Sequence, residues 1–324
     1  MATSLGMGYA LLDRPTGLTG PRHVRVEPGM TARQIGQRLK AEGLIRSVRL
    51  FAWSARLAGL AHRLEAGTYE LDGRASTQAV LRRLLEAPLE LTRVTVPEGL
   101  TRLETAGLLQ RCGVADSARF AAVSERLDLV RELGLTGNSL EGFLYPETYF
   151  LDHGATEEEI ARRMVGEFFT VFNDSLFGRL DSLGMSLREA VTLASIVELE
   201  ARAAAERPII AAIFHRRLNL GRRLESCATV EYALGVHRER LTNADLRVAS
   251  PYNTYLHGGL PPGPIGSPGR ASILATLYPG ESDYLYFVAR GDGTHQFSRT
   301  NREHEAAKGE VRRQQRRRAQ EHPR

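Results

Sequence analysis

The sequence has few of the residues from which metal centres and disulfide frameworks are built. Its 324 residues contain two cysteines, Cys112 and Cys227, whose separation matches neither a metal-ligand motif nor a redox motif. The nine histidines include no HExxH motif or comparable pair. We therefore expect no metal site and no cofactor. Two cysteines in so long a chain leave the redox compartment undecided.

Long hydrophobic runs are also missing. No stretch of about 18 apolar residues occurs, so no segment of this sequence is predicted to span a membrane. Residues 1–12 are mildly apolar but lack the basic leading segment of a secretory signal. The N-terminal segment, residues 1–22, is therefore open to two interpretations: a free terminus, or the remnant of a membrane-anchor region.

The sequence also lacks a basic stripe of the kind that binds nucleic acid. Its formal net charge is +5, but residues 309–324 carry six arginines against two glutamates, which leaves residues 1–308 nearly neutral. No basic run interleaved with aromatic residues occurs elsewhere, so no nucleic-acid partner is expected. We interpret residues 309–324 as a basic, solvated tail, with contact to an anionic lipid or polymer as the alternative.

What remains is the composition of an ordinary globular protein, long enough for two domains, with 42% hydrophobic and 25% charged residues. A strand-turn-helix pattern occurs twice in it. The aligned pairs are Gly29 and Gly99, Thr31 and Thr101, Leu39 and Leu109, and Gly43 and Gly113. The repetition indicates either a duplicated packing unit or a common motif that occurs twice by chance.

Helix and strand patterns predict an α+β fold. Residues 23–92 alternate short strand and helix patterns and form a small α+β subdomain. Helical patterns dominate residues 101–219, and a strand pattern follows at residues 284–289. Between them, residues 250–269 contain five prolines and five glycines. We therefore expect a mixed, helix-rich second domain with a long Pro/Gly-rich loop region.

The most informative helix pattern begins at Ser186. Ser186 and Glu189 have the spacing of a capping box, which satisfies two backbone donors at a helix start. Glu198 lies seven residues after Val191 and falls on the same apolar stripe. Burial among apolar side chains favours the protonated form of a carboxylic acid, which is what a general acid requires.

Two residues near this acid have ordinary explanations from helical spacing. Glu200 points away from the apolar stripe and is predicted to be solvated. Arg202 lies one turn after Glu198, so a surface ion pair between these two residues is the alternative to a buried acid. Periodicity alone does not decide between the two.

The Pro/Gly-rich loop region carries groups that bind sugars. Residues 252–255 supply two aromatic rings, an amide and a hydroxyl, and residues 258–265 supply a stiff backbone. Aromatic faces and paired hydrogen bonds hold sugar rings, and long irregular segments commonly carry binding function. The same composition is also consistent with a purely structural turn.

Five segments of the chain together match one protein family, in the family's order. They are LEGFLYPETYFL (140–151), ASIVELEA (194–201), TVEYALG (229–235), the segment 250–275 that begins SPYNTYLHGG, and the segment 284–304 that begins YLYFVARGDG. With them the chain closely resembles the endolytic murein transglycosylases of the YceG-like family, from about residue 23 to residue 308. Residues 23–92 resemble that family's LysM-like subdomain.

The resemblance implies a bacterial enzyme that cuts peptidoglycan glycan strands internally, between N-acetylmuramic acid and N-acetylglucosamine, and leaves 1,6-anhydromuramyl ends. It implies a membrane anchor, which this sequence does not show, and a location at the cytoplasmic (inner) membrane with the catalytic domain facing the cell wall. Glycan strands are the implied partner, with peptidoglycan synthases as further candidates. The implied domains are residues 1–22, a LysM-like subdomain at 23–92, a catalytic domain at 93–308 and a basic tail at 309–324.

The resemblance assigns the catalytic role to Glu198, the glutamate of the ASIVE motif. One carboxylic acid then serves as acid and as base, because the attacking group is the sugar's own tethered 6-hydroxyl. The implied groove also contains eight candidate substrate-binding residues, and each polar one has an alternative explanation as a buried hydrogen bond that holds a loop. They are Glu141, Tyr145, Glu147, Tyr149, Thr229, Asn253, Tyr255 and His295.

The chain departs from the family pattern beside its third motif, TVEYALG. Some members carry Gln-Thr-Asp-Pro-Thr-Val where this chain has Glu225-Ser-Cys227-Ala-Thr-Val, so a carboxylate is absent at Cys227 and Glu225 is its candidate substitute. Two other functions stay open. A non-catalytic peptidoglycan-binding protein would use the same groove without an acid. A lysozyme-type hydrolase would need a second carboxylate facing the same bond, with Glu141, Glu147 and Glu225 as candidates.

Overall fold

The computed structural model describes Thr16 and residues 21–27, 29–59, 64–72, 75–86, 91–238 and 241–321. The chain divides into two compact units, Met1–Thr92 and Arg93–Arg324. Within the described residues, helices predominate and the strands form three two-stranded sheets, so the fold is of the predicted α+β class. No helix in those ranges has both the length and the hydropathy needed to cross a lipid bilayer.

The first unit is built on one antiparallel strand pair. Its elements are β1 (Pro21–Val26), α1 (Ala32–Ala41), α2 (Val48–Leu57), β2 (Gly67–Asp72) and α3 (Thr77–Arg83). In the register of β1 and β2, Val24 lies opposite Tyr69, and both side chains are buried. Alternate residues of a strand face the same side. Phe51 of α2 and Val80 of α3 complete the core on that side.

The second unit is mainly helical. Strand β3 (Leu91–Thr95) pairs with β4 (Thr148–Asp152), and β5 (Tyr286–Ala289) pairs with β6 (His295–Ser298) in antiparallel register. The helices are α4 (Arg102–Arg111), α5 (Ser117–Ser124), α6 (Leu127–Glu132), α7 (Glu157–Val171), α8 (Asp174–Leu183), α9 (Leu187–Glu200), α10 (Arg207–Asn219), α11 (Cys227–Leu234), α12 (Arg270–Leu277) and α13 (Asn301–Glu321). Helix α9 is central, and its residues 190–197 are all buried.

The repeated strand-turn-helix pattern has the same local structure in both copies. The turn of each copy contains a glycine with positive φ, Gly29 at 82° and Gly99 at 83°. Helices α1 and α4 each have ten residues and begin with a capping box on a threonine. A left-handed glycine follows each helix, Gly43 at 72° and Gly113 at 71°. The two copies therefore have the same local structure, which is expected both of a duplicated unit and of a common motif that occurs twice.

The C-terminal helix α13 differs from the sequence prediction. It continues past residue 309, where the sequence predicts the start of a solvated tail. Ala307 and Val311 are buried, and the ring of His304 stacks on Tyr286 with a centroid distance of 5.1 Å. The first part of the arginine-rich segment is therefore a helix that packs against the second unit, because it keeps apolar residues at helical spacing.

The Pro/Gly-rich loop region contacts the turn after β3 through its backbone. The Gly99 amide donates to the Ser267 carbonyl at 2.8 Å, and the Ser267 amide donates to the Leu100 carbonyl at 2.8 Å. A Cβ atom on Gly266 would lie 2.4 Å from the Gly99 carbonyl oxygen, closer than real Cβ contacts. The approach of the two backbone segments therefore requires glycine at position 266.

We expect Gly266→Ala to lower the free energy of unfolding by about 1–3 kcal/mol, because the added methyl group meets backbone rather than a flexible side chain. Gly258→Ala is the matched control, since a Cβ atom there has no neighbour within 4 Å. Urea denaturation of the native protein and both variants measures the difference. Equal stability of the two variants would contradict the close approach.

Candidate functional site

One side of α9 holds the Pro/Gly-rich loop region. Three side chains of α9, spaced seven and three residues apart, bind the backbone of this loop, because these spacings return to a similar side of an α-helix. The contacts are Arg188 Nε to the Pro262 carbonyl (3.2 Å), the Ile265 amide to Ser195 Oγ (3.1 Å), and the Gly269 amide to Glu198 Oε2 (3.0 Å). The loop therefore runs along α9 and ends at Glu198.

The start of α9 is as the sequence predicts. Ser186 is the N-cap, its hydroxyl accepts from the Glu189 amide, and the Glu189 carboxylate accepts from the Ser186 amide. These bonds to Ser186 lower the pKa of Glu189. The capping box fixes where the helix begins and hence which side its last turn presents.

Glu198 lies in the last turn of α9, and its side chain is only 7% exposed. Arg207 Nη2 donates to Oε1 at 3.0 Å, and the Gly269 amide donates to Oε2 at 3.0 Å. Arg202, the partner that helical spacing offered, is exposed, and the ion pair is made by Arg207. Both carboxylate oxygens of Glu198 therefore have a hydrogen-bond donor from another part of the chain.

Arg207 connects Glu198 to two further elements. It is the first residue of α10, and its Nε donates to Ser272 Oγ of α12 at 3.0 Å. Its Nη2 also lies 3.8 Å from Glu98 Oε2, in the turn after β3. We call Glu98, Glu198, Arg207, Gly269 and Ser272 the acid cluster. Sequence reasoning missed Glu98 and Arg207, and the one signal for Glu98 is its place in the repeated turn.

Glu141 lies outside the acid cluster as a buried carboxylic acid, 4% exposed. The backbone amide of Arg102 donates to its Oε1 at 2.9 Å, and the Tyr232 hydroxyl donates to its Oε2 at 3.2 Å. Burial raises the pKa of Glu141 to about 7, against the opposing effect of the Arg102 amide. The structure thus places this candidate at the start of α4, where it joins α4 to α11.

The aromatic segment before and within β4 is mostly buried. The Tyr149 hydroxyl donates to the Tyr145 carbonyl at 2.6 Å, and both side chains are buried. Glu147 is exposed, and its Oε1 accepts from the Thr148 amide at 2.8 Å. Burial raises the pKa of Tyr145, and the charges of Glu147 and Glu98 raise it further. Tyr145 is therefore the member of this segment that lies near the acid cluster.

Asn253 is fully buried and bonded to its own loop. Its Nδ2 donates to the Leu246 and Val248 carbonyls at 3.1 Å and 2.9 Å, and its Oδ1 accepts from the Tyr255 amide at 3.0 Å. The side chain amide thus has three backbone partners. In this structure Asn253 holds the loop, which is the alternative explanation that the sequence left open.

Thr229 and Tyr255 belong to a polar network at the start of α11. Thr229 Oγ1 lies 2.8 Å from Thr254 Oγ1, and both residues are buried. The Tyr255 hydroxyl lies 3.3 Å from the Cys227 sulfur. Burial raises the pKa of the Cys227 thiol, and the charge of Glu200 raises it further. A neutral thiol therefore occupies the position where some family members carry a carboxylate.

Two further carboxylates, those of Glu225 and Glu200, bind protein groups other than the residues around Glu198. Glu225 has a left-handed φ of 51°, and its Oε2 pairs with Arg217 Nη1 at 3.1 Å. Glu200 Oε1 accepts from the Ser226 hydroxyl at 2.5 Å and from the Ala228 amide at 3.4 Å. The prediction that Glu200 is an ordinary solvated residue is wrong, because it is half-buried and its carboxylate accepts hydrogen bonds at the first turn of α11.

His295 is buried and paired with Glu206. Its Nδ1 lies 2.7 Å from Glu206 Oε2, and its backbone amide donates to Glu206 Oε1 at 3.0 Å. The ring also meets Phe287 edge-on, with centroids 5.3 Å apart. His295 therefore supports the residue that precedes Arg207 in the chain. Across the ranges that the structure describes, no group of three or more His, Cys, Asp or Glu side chains is placed to hold a metal ion.

Comparison with known proteins gives a consistent result. The model of the YceG-like family matches residues 24–310. An endolytic murein transglycosylase from Bacillus subtilis is 31% identical over 309 residues, which covers 88% of this chain and 83% of that protein. One from Streptococcus pneumoniae is 30% identical, and the match covers 82% of this chain but only 54% of that longer protein.

A solved structure agrees with these relatives. The crystal structure of a YceG-like protein from Listeria monocytogenes superposes with a TM-score of 0.62 at 30% sequence identity. The superposition covers 88% of this chain and 98% of that chain. The similarity therefore extends through both units rather than through one local motif.

The raised pKa of Glu141 predicts that the stability of the folded protein depends on pH. In the folded protein the pKa of Glu141 is about 7, against an ordinary value of 4.5, so the folded protein binds more protons than the unfolded chain between these pH values. Stability from this group is therefore lost as the pH rises through that window. We expect Glu141→Gln to show a smaller fall over the window. Urea denaturation at several pH values, with the exposed Glu281→Gln as control, measures it. Parallel profiles for native protein and Glu141→Gln would contradict the assignment.

The three hydrogen bonds of the Asn253 side chain predict that its removal lowers the stability of the protein. We expect Asn253→Ala to lower the free energy of unfolding by about 2–3 kcal/mol, because two half-buried backbone carbonyls and one backbone amide lose their partner. Thermal or urea denaturation checks this, with the exposed Asn243→Ala as control. A variant as stable as the native protein but slow in turnover would instead assign Asn253 to the substrate.

Proposed function

Because this chain belongs to the YceG-like family, we propose that it is an endolytic murein transglycosylase, a lyase that cuts peptidoglycan glycan strands internally. One observation in the structure supports an acid-dependent reaction. Glu198 of the ASIVE motif has a side chain that is 7% exposed, with each carboxylate oxygen bound by a donor from a different element. A carboxylic acid held in one orientation in this way is suited to directional proton transfer.

We assign both proton transfers of the reaction to Glu198. Protonated Glu198 gives its proton to the glycosidic oxygen between N-acetylmuramic acid and N-acetylglucosamine as the bond from C1 to that oxygen breaks. The 6-hydroxyl of the same muramic ring then bonds to C1 and returns its proton to the Glu198 carboxylate. The product is a 1,6-anhydromuramyl end, and no water is consumed. Tethering of the attacking hydroxyl replaces the second carboxylate of a hydrolase.

The two donors on Glu198 fit this sequence of steps. After the first transfer Glu198 is ionised, and the Arg207 guanidinium and the Gly269 amide stabilise that charge. Their directions also limit which carboxylate lone pairs can reach the sugar. Loss of either donor would therefore change both the stability of the ionised Glu198 carboxylate and the orientation of that carboxylate toward the sugar.

The substrate-binding candidates divide into two groups under this proposal. We place Tyr145 and Glu147 beside the glycan, since Glu147 is exposed and Tyr145 lies near the acid cluster. We assign supporting roles to the candidates whose side-chain polar atoms bind other parts of the protein; all of them are buried except Tyr255, which is half-buried. They are Glu141, Tyr149, Thr229, Asn253, Tyr255 and His295.

The remaining parts of the proposal concern recognition and location. The order of strand, two helices and antiparallel strand from β1 to β2 supports a LysM-like first subdomain. A cell-wall location follows from the substrate. Attachment to the cytoplasmic membrane and association with peptidoglycan synthases draw their support from the family resemblance.

A lysozyme-type hydrolase is the second candidate function, and one observation favours it. Glu98 is a second carboxylate on the same guanidinium as Glu198. The candidates for that role from sequence, Glu141, Glu147 and Glu225, are engaged by other partners. The two functions differ in their products, since a hydrolase leaves reducing ends and a transglycosylase leaves anhydro ends.

We expect Glu198→Gln to lower glycan cleavage by about 10²–10⁴-fold, because glutamine keeps the shape of the side chain but has no proton to donate. Mass spectrometry of chain ends, after digestion of purified peptidoglycan, measures both the rate and the product. Glu189→Gln is the matched control on the same helix, since glutamine also completes a capping box.

Anhydromuramyl ends from the native protein and the control, but not from Glu198→Gln, would support the proposal. Reducing ends would establish the hydrolase. Binding of glycan by the folded protein without any cleavage would instead favour the wall-binding protein.

A further inference from the structure

The turn after β3 is part of the acid cluster, although no step assigned to Glu198 uses it. The turn is held to the Pro/Gly-rich loop by the backbone bonds of Gly99 and Leu100 with Ser267. At its tip, the Glu98 carboxyl group lies against Gly269, where a Cβ atom would be 1.8 Å from Glu98 Oε1. Gly269 is the residue whose amide binds Glu198. The two carboxylates are therefore held on either side of one glycine.

Both carboxylates also contact one nitrogen atom. Arg207 Nη2 lies 3.0 Å from Glu198 Oε1 and 3.8 Å from Glu98 Oε2. The guanidinium is fixed by its bond to Ser272, and its side chain is 14% exposed. Two carboxylates share a single positive charge, so the group carries a net negative charge when both are ionised. Such a pair favours the state in which one member is protonated.

The exposure of the two acids differs sharply. The Glu98 side chain is 48% exposed and the Glu198 side chain 7% exposed. Burial raises the pKa of Glu98, the negative charge of Glu198 raises it further, and Arg207 opposes the rise. Other ionisable groups lie nearby: burial raises the pKa of Tyr145, the charges of Glu147 and Glu98 raise it further, and the charge of Arg270 lowers it.

We propose that Glu98 is a positioning residue for the reaction. Its carboxylate shares Arg207 with Glu198 and thereby raises the fraction of Glu198 that carries the proton needed for cleavage. The proposal rests on the assignment of the acid to Glu198. An ionised Glu98 acts in two ways: it offsets part of the Arg207 charge, and it repels a charge on Glu198. Both effects favour protonated Glu198.

The first copy of the repeated turn provides the comparison. There the glutamate lies one position earlier in the turn, at Glu27, because the order of proline and glutamate before the aligned glycine is reversed. Glu27 pairs with Arg38 at 3.2 Å on the surface. The Glu27 and Arg38 side chains are 57% and 39% exposed, and no second carboxylate is recorded on that guanidinium among the described residues. The two copies of the turn therefore differ in where they carry a glutamate: at Glu27 it makes an ordinary surface ion pair, and at Glu98 it shares Arg207 with a second carboxylate.

The test is the pH profile of kcat/KM for glycan cleavage. Glu98→Gln keeps the shape of the side chain against Gly269 but removes its charge, so Arg207 stabilises ionised Glu198 alone. We expect the alkaline limb of the profile to move to lower pH by about 0.5–1 unit. On that limb, cleavage falls about three- to tenfold, whereas activity on the acid side stays close to native. Glu98→Asp should restore part of the shift, and Glu27→Gln should leave the profile unchanged.

Three results would overturn the proposal. A Glu98→Gln profile that coincides with the native one means that Glu98 does not act on the acid. A uniform loss at every pH means that Glu98 only holds the turn. A shift to higher pH means that the coupling has the opposite sign. Activity of Glu198→Gln in the same assay would instead contradict the assignment of the acid, so the two failures are distinguishable.

Discussion

The guanidinium of Arg207 is the contact on which the acid cluster depends. It lies where the last turn of α9 meets the first turns of α10 and α12, and it binds side chains from two of these helices and from the turn after β3. The amino-terminal ends of α10 and α12 add partial positive charge to the same place. Buried or half-buried carboxylates are tolerated only when paired. The packing of these helix ends therefore makes it possible to keep Glu198 and Glu98 together.

The helix that carries Glu198 could be predicted because its determinants are local. A capping box fixes the first residue of α9, and the period of 3.6 residues carries that register to Glu198. The choice between Arg202 and Arg207 could not be predicted. It depends on the chain leaving the helix at Ala201 and re-entering one at Arg207, which no pattern within α9 specifies. Glu98 is farther still in sequence, and only the tertiary fold brings it to the same nitrogen.

For the polar candidate substrate-binding residues, the sequence could not tell a contact with substrate from a hydrogen bond within the protein. An asparagine and hydroxyl residues between aromatic rings are typical of a sugar site, and they are equally typical of a loop that satisfies its own backbone. In Asn253 and Thr229 all the bonds run to protein atoms, and both side chains are fully buried. Burial decides between the two roles, and burial depends on what the rest of the chain places over the loop. Glu200 shows the same limit, because the sequence around it does not reveal that Ser226 at the start of α11 binds its carboxylate.

The bond from Glu200 to the start of α11 links two parts of the molecule mechanically. Glu200 and Glu198 are separated by one residue at the end of a single helix, and the capped end of α11 includes Ser226 and Ala228. Tyr232, one turn further along α11, reaches Glu141 at the start of α4. Helix α11 thus connects the end of α9, which carries Glu198, to the start of α4, which follows the turn that carries Glu98. A displacement of α11 would therefore act on the end of α9 and the start of α4 together.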